Sequence, residues 1–162
     1  MNASRKETPR MQFSKSTGYA LHTLIHLAQA ERGRYVGIKE LASKQGLPES
    51  YLSKIMSKLR QDGIVRAVTG ASGGYELARP GSEITFYDVI SVVEGRQQMY
   101  ECHAANEHQH ELFAEADASG CECLVKKVMD GAERQMLDYL KQHTIQGVLD
   151  AASFSCSPEH RA

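Results

Sequence analysis

Side chains that can bind a soft metal ion or undergo oxidation are concentrated in the second half of this 162-residue chain. They are Cys102, Cys121 and Cys123, with His103, His108 and His110 between the first cysteine and the second. Thiolates and imidazoles together bind zinc or iron, and oxidation would join Cys102 to Cys121 or Cys123 in a disulfide. The spacing lacks a CxxC-type pair, so zinc, iron, haem and a thiol switch all stay open as interpretations. Cys156 lies near the end of the chain, and we do not expect it to belong to this group.

The elements that would position this chemistry begin with a helix-turn-helix pattern in the first half of the chain. Ile38, Leu41 and Ala42 give one apolar face to a short helix. Gly46 follows, a residue that tolerates the left-handed turn at the end of a helix. Pro48 then stands where a second helix begins, and the apolar residues of that helix recur at helical spacing: Leu52, Ile55, Met56 and Leu59. Two short helices joined by a tight turn are typical of proteins that place the second helix in the DNA major groove.

The other face of the second helix is polar. It carries hydroxyl and amide groups, which suit base edges, and lysines, which suit phosphates. These residues are Ser50, Ser53, Lys54, Ser57, Lys58 and Gln61, with Tyr51 on the flank. A β-hairpin is predicted next, with strands over 64–69 and 75–78 and a glycine-rich tip between them. A hairpin placed directly after a helix-turn-helix indicates a wing.

The rest of the chain is mostly helical in pattern. Ser16–Ala30 predicts a broadly buried helix. Thr85, with Asp88 as a capping-box partner, opens another helix that ends at Gly95. Apolar residues recur again over Cys121–Gln142 without an intrachain partner for the whole length, so two copies packed together would bury them. The predicted fold class is mainly α with a small β-hairpin wing, a winged helix-turn-helix followed by a long C-terminal dimerisation helix.

These patterns divide the chain into five predicted segments. The segments are a disordered N-terminal extension (1–10), a winged-helix DNA-binding domain (11–95), a sensor loop (96–120), a dimerisation helix (121–149) and a flexible tail (150–162).

Charge is divided unevenly along the chain. Residues 1–81 contain 13 basic and 6 acidic side chains, whereas residues 82–162 contain 6 basic and 14 acidic side chains. The net charge of −1 therefore results from a basic first half and an acidic second half. The basic half suits a polyanion such as DNA. We find no apolar run long enough to span a membrane and no secretory signal, so we expect no membrane association. We also find no nucleophile elbow, phosphate loop or HExxH helix, so we expect no enzyme activity.

The chain resembles the IscR/NsrR-type winged-helix transcription regulators (the Rrf-two superfamily) over residues 11–149. The segments that carry the resemblance are KSTGYALHTLIHLA (15–28), IKELASKQGLPESYLSKIMSKLRQDGIV (38–65), GGYELARP (73–80) and ITFYDVISVVEG (84–95). The resemblance implies a bacterial, cytoplasmic homodimer whose long C-terminal helices cross. It also implies that the two recognition helices enter successive major grooves of double-stranded operator DNA.

The same resemblance implies particular DNA contacts. Ser50, Tyr51 and Lys54 occupy DNA-contacting positions of the recognition helix. Thr69 occupies a wing position at which the cluster-biogenesis regulator of the family has an arginine that reaches into the minor groove. We expect the nearby Arg66 to substitute for that arginine.

Many members of this family hold an iron–sulfur cluster between the winged domain and the dimerisation helix. Their usual signature is three closely spaced cysteines, of which this chain has only the first, Cys102. A variant in the family uses two widely spaced cysteines of one subunit with a histidine and a carboxylate from the first helix of the other subunit. His22 matches that histidine, whereas Gly18 stands at the carboxylate position and cannot be a ligand.

The resemblance therefore implies a 2Fe–2S cluster with Cys102, Cys121 or Cys123, and His22 as ligands, and with one ligand unassigned. His26 shares a helix face with His22. The two histidines could therefore both be imidazole ligands, or they could form a polar stripe that faces solvent or the dimer partner.

Together, these observations predict a dimeric DNA-binding transcription regulator, a repressor, whose operator binding responds to redox, iron–sulfur or nitric-oxide signals at a Cys/His site. The alternative is a thiol-switch or zinc-dependent regulator without an iron–sulfur cluster. A further alternative is a DNA-binding module without a sensor, in which the cysteines are incidental.

Overall fold

The computed structural model describes residues 13–31, 33–95, 100 and 124–155. Within these ranges the chain forms six α-helices, a 3₁₀ turn and a two-stranded antiparallel sheet. The elements are α1 (Lys15–Gln29), α2 (Ile38–Gln45), α3 (Glu49–Gln61), β1 (Val65–Val68), β2 (Gly74–Leu77), the 3₁₀ turn (Gly81–Glu83), α4 (Phe86–Glu94), α5 (Leu124–Gln142) and α6 (Ile145–Ser155). The predicted fold class, mainly helical with one β-hairpin, is confirmed. The predicted extension 1–10 and, apart from Tyr100, the predicted sensor loop 96–120 lie outside the described residues.

The helix-turn-helix forms as its sequence pattern predicts. Gly46 ends α2 in the left-handed conformation, with φ at 64°, and its N–H donates to carbonyls in the last turn of that helix. Pro48 precedes α3, where its carbonyl accepts hydrogen bonds from the N–H groups of Tyr51 at 3.1 Å and Leu52 at 3.2 Å. The four apolar residues predicted for the inner face of α3 are all buried.

The wing is the antiparallel pair β1 and β2, in which Arg66 stands opposite Glu76. Tyr75 extends this sheet by one bridge, because it exchanges two hydrogen bonds of 2.9 Å with Val36. Gly74 is required at this crossing. A Cβ atom there would lie 2.6 Å from the Val36 carbonyl oxygen, which is closer than real Cβ contacts allow.

The hydrophobic core lies where α1, α3 and α4 meet, and it continues to the first residue of α6. Its largest fully buried side chains include Leu24, Leu41, Leu52, Met56, Leu59, Ile64, Ile84, Val89 and Ile145. α4 starts with the predicted capping box. The Asp88 N–H donates to Thr85 Oγ1 at 3.1 Å, and the Thr85 N–H donates to Asp88 Oδ2 at 3.0 Å.

Within the segment predicted as one dimerisation helix, 121–149, the described residues from 124 onward form two separate helices, α5 and α6. Between them, the Phe86 N–H donates to the His143 carbonyl at 2.9 Å, and Thr144 forms an antiparallel β-bridge with Thr85. These contacts fix the chain in an extended conformation, which interrupts the helix.

α6 starts with a side-chain cap, in which Thr144 Oγ1 accepts a hydrogen bond from the Gly147 N–H at 3.0 Å. Its first residue, Ile145, is fully buried, and the helix packs against α1 and the 3₁₀ turn. It extends to Ser155, so the first residues of the predicted flexible tail, 150–162, are helical. Among the described helices, none is both long and apolar enough to cross a lipid bilayer.

Candidate nucleic-acid interface

The residues predicted to contact DNA lie on one accessible face of α3 and on the wing. Ser50, Tyr51, Lys54 and Lys58 are exposed, and Ser53 and Ser57 are half-buried. The opposite face of α3 is packed into the core. Because one face is buried and the other carries only polar side chains at these positions, α3 has the form of a recognition helix.

Tyr51 is held in place by two residues of α1. Its hydroxyl oxygen lies 2.7 Å from Ser16 Oγ, and its ring meets the Tyr19 ring edge to face, with centroids 6.0 Å apart. Such ring pairs stabilise a fixed orientation. These roles of Ser16 and Tyr19 could not be predicted from the sequence, since a serine in the first turn of a helix carries no specific signal.

Lys58 makes a different contact from the other polar residues of α3. Its Nζ donates to the carbonyl of Val93, in the last turn of α4, at 3.2 Å. Lys54, one turn earlier on α3, is exposed. The two lysines predicted to contact phosphates therefore differ, because the ammonium group of Lys58 is hydrogen-bonded to another helix.

Glu94 connects the end of α4 to the start of α1. Its Oε1 accepts a hydrogen bond from the Ser14 N–H at 2.7 Å and another from the Thr17 hydroxyl. Burial raises the pKa of the Glu94 carboxyl, but the hydrogen bonds from Thr17 and Ser14 and the charge of Lys58 lower it overall below its ordinary value. Glu94 was not among the predicted site residues. A carboxylate at the C-terminal end of a helix is unfavourable for the helix dipole, and that position was the available signal.

The wing carries Arg66 and Thr69, both exposed. Arg66 Nε donates to Glu76 Oε1 at 2.6 Å, across the hairpin. The hydrogen bond and the negative charge of Glu76 raise the pKa of the Arg66 guanidinium. The arginine predicted to substitute in the minor groove is therefore paired with a carboxylate in this structure.

α5 has an apolar face that the described part of the chain leaves uncovered. None of its residues is buried. The exposed large apolar side chains recur at helical spacing and are Leu124, Val125, Val128, Met129 and Tyr139, with Val128 71% exposed and Tyr139 63% exposed. We call these five residues the α5 stripe.

Residues 13–151 match the family model named Rrf2, which is described as an iron-dependent transcriptional regulator. The chain belongs to the Rrf2 family. Its predicted membership of this superfamily is thereby confirmed.

Individual Rrf2 relatives agree with this assignment. Protein aau3 of Rhizobium meliloti is 33% identical over 141 residues, which cover 87% of this chain and 86% of that protein. Two Mycobacterium tuberculosis proteins named as HTH-type transcriptional regulators are 42% identical over 85 residues, and that match spans 53% of their length. The chain thus spans about half the length of these two curated relatives.

Solved structures of the family share the fold. T. potens IscR matches with a TM-score of 0.69 and 26% identity, covering 91% of this chain and 92% of that one. CymR, the global cysteine regulator of B. subtilis, matches with a TM-score of 0.65 and 26% identity, covering 88% of this chain and 98% of that one. Both are winged-helix regulators of the Rrf2 family.

Of the ligands expected for a cluster in an Rrf2 protein, the structure places only His22, which is exposed on α1. Gly18, one turn earlier, is also exposed, and a Cβ atom there would meet no atom within 4 Å. His26 is half-buried, and its Nε2 lies 2.8 Å from Lys44 Nζ and 3.6 Å from Glu40 Oε1. His22 is thus available on the surface, whereas His26 belongs to a charged cluster between α1 and α2.

The other metal candidates belong to the chain segment between α4 and α5. They are Cys102, Cys121 and Cys123 with His103, His108 and His110, and all lie outside the described residues. Over 13–31, 33–95, 100 and 124–155, no group of three or more histidine, cysteine or acidic side chains could hold a metal ion.

Proposed function

We propose that this Rrf2 protein is a homodimeric repressor in the bacterial cytoplasm that binds double-stranded operator DNA. Its affinity for the operator changes in response to a redox, iron–sulfur or nitric-oxide signal. The observation that carries the DNA-binding part is α3, which has one buried face and one exposed polar face beside a hairpin.

The chemistry of the exposed face suits DNA. Ser50 and Tyr51 lie in the first turn of α3, the part of a recognition helix that meets base edges. Lys54 adds a positive charge one turn later, where it suits a phosphate. Because phosphate neutralisation releases counterions, we expect the affinity for DNA to fall steeply with salt.

The α5 stripe supports a dimer. Exposed apolar side chains that repeat along 19 residues of helix are unfavourable in water, and a second copy of α5 would cover them. A two-fold axis would also place two recognition helices on two half-sites about one DNA turn apart.

The sensor proposal rests on the donor set and on the description of the family as iron-dependent. Cys102, Cys121 or Cys123, and His22 of the partner subunit are of the types that hold a 2Fe–2S cluster, which would supply one-electron chemistry when bound. Gly18 contributes no ligand, so the set from this chain is one short of four.

A second candidate is a thiol switch or a zinc-dependent regulator without a cluster. It is supported by the incomplete ligand set and by the similarity to Staphylococcus aureus CymR, which is known in an oxidised form and matches with a TM-score of 0.61 at 26% identity. In that case oxidation would join Cys102 to one of the other two cysteines, with release of two protons and two electrons to a thiol oxidant.

One experiment separates these candidates. The protein is purified without oxygen, its absorption spectrum is recorded, and iron, sulfide and zinc are assayed on the same sample. Visible charge-transfer bands with iron and sulfide support the cluster. A colourless protein whose affinity for a duplex selected from random sequences changes with diamide supports the thiol switch. Failure to select any duplex would contradict the DNA-binding proposal itself.

A further inference from the structure

The end of α4 contacts both the recognition helix and the first turn of α1. Lys58 of α3 donates to the Val93 carbonyl at 3.2 Å, and Glu94 accepts hydrogen bonds from the Ser14 N–H and the Thr17 hydroxyl. We call these five residues the α4 junction.

The groups of the α4 junction complement one another in charge. The last carbonyls of a helix lack intrahelical donors and carry partial negative charge, so an ammonium group suits Val93. The first N–H groups of a helix carry partial positive charge, so the Glu94 carboxylate suits the start of α1. Lys58 also lies close enough to Glu94 to contribute to its lowered pKa.

The α4 junction lies directly before the cysteine-containing segment of the sequence. The next residue, Gly95, ends α4 with φ at 85°, and the chain then enters 96–123, which contains three of the four cysteines. The last turn of α4 is therefore the described helical turn that directly precedes the cysteine-containing segment. That turn is hydrogen-bonded to α3 and to α1.

We propose that the α4 junction transmits the state of the cysteine-containing segment to the recognition helix, an inference that rests on the proposed sensor function. With the junction formed, α3 is fixed against α4. The first turn of α1, which also holds Tyr51 through Ser16, is fixed to the same helix end. The junction therefore stabilises the DNA-binding arrangement, and a signal lowers affinity by breaking it.

The test compares operator affinity, before and after treatment with diamide or a nitric-oxide donor, in wild type and in Lys58→Met and Glu94→Gln. Wild type is expected to lose affinity by a factor in the range typical of allosteric coupling, about 5–150-fold. Each variant is expected to bind more weakly before treatment and to change by less than about twofold on treatment, because its junction is already broken. Lys54→Met is the matched control. It removes the same charge one turn away on α3, so it should weaken binding equally in both states and keep the wild-type ratio.

The outcomes distinguish this inference from the sensor proposal. If wild type does not respond to either reagent, the sensor proposal fails, and the inference fails with it. If wild type responds and both junction variants keep the same ratio, the sensor proposal stands and the inference is wrong. A second measurement does not depend on any signal. In untreated protein, the effects of Lys58→Met and Glu94→Gln on affinity should be less than additive in the double variant, and full additivity would contradict a shared junction.

Discussion

Arg66 and Glu76 form a cross-strand ion pair on the wing, with 2.6 Å between Nε and Oε1. The guanidinium is exposed and screened by solvent, so the pair contributes little to stability. Its larger consequence is electrostatic, because the carboxylate offsets the positive charge that the wing would present to a phosphate or to the minor groove.

Glu76→Gln should therefore strengthen DNA binding. We expect an affinity gain of roughly 2–10-fold at low salt and a steeper dependence on salt, because one more cation becomes available to release counterions. Fluorescence anisotropy with a selected duplex over a salt series measures both. Glu83→Gln, the same change on the 3₁₀ turn, controls for net charge. Equal gains in the two variants would show that only net charge matters and that Arg66 does not reach the DNA.

Gly18→Glu should supply the carboxylate that the cluster-binding variant of the family has at this position. Space is available, because an added Cβ meets nothing within 4 Å and the position is exposed. Replacing a glycine inside a helix also stabilises it by roughly 0.5–1 kcal/mol. Gly18→Ala, which gives the stability without the ligand, is the control. We expect both variants to melt at a higher temperature and only Gly18→Glu to retain more iron and sulfide. Equal iron contents in the two variants would mean that a carboxylate at position 18 does not bind the cluster.

The winged helix could be predicted from the sequence because its signals act locally. Gly46 allows the turn after α2 through its own φ, and Pro48 suits the start of α3 through its missing N–H. Thr85 and Asp88 cap α4 from within three residues. None of these features depends on a distant partner, so each is at the position that the sequence predicts.

The interruption between α5 and α6 and the contacts of Glu94 could not be predicted in the same way. The helix is interrupted at His143 because Phe86, far away in the sequence, donates to its carbonyl. The Ser14 N–H that Glu94 binds is 80 residues away. Hydrophobic periodicity indicates which face of a helix is apolar. It does not indicate which distant backbone group will accept or donate a hydrogen bond.

Val128→Glu should separate the dimer without unfolding the subunit. Val128 is 71% exposed among the described residues, so a charge there stays in contact with water in the single subunit. A second α5 packed on the stripe would bury it. We expect the dimer dissociation constant to rise at least about 100-fold, because burying an unpaired charge costs roughly 3 kcal/mol or more.

Sedimentation equilibrium measures this dissociation constant, and circular dichroism checks the helix content. Lys127→Glu, one residue away and outside the stripe, is the control, and a Val128→Glu protein that stays dimeric would move the interface elsewhere.

The lowered pKa of Glu94 predicts a pH dependence of stability. Because the carboxyl has a lower pKa in the folded chain than in the unfolded one, it stabilises the fold at neutral pH, and this contribution disappears as pH falls through the folded-state value. We expect Glu94→Gln to be less stable than wild type at neutral pH by about 0.3–1 kcal/mol, the range for a charge at a helix N-terminus, and the two to converge in acid.

Thermal melting of both proteins from neutral pH down to the acid range measures this convergence. Thr17→Val keeps the carboxylate and removes one of its donors, so its stability at neutral pH should lie between those of the other two proteins. A constant difference between wild type and Glu94→Gln across the whole range would mean that the side chain stabilises the end of α4 by packing. In that case the charge of Glu94 would not hold α1 and α4 together.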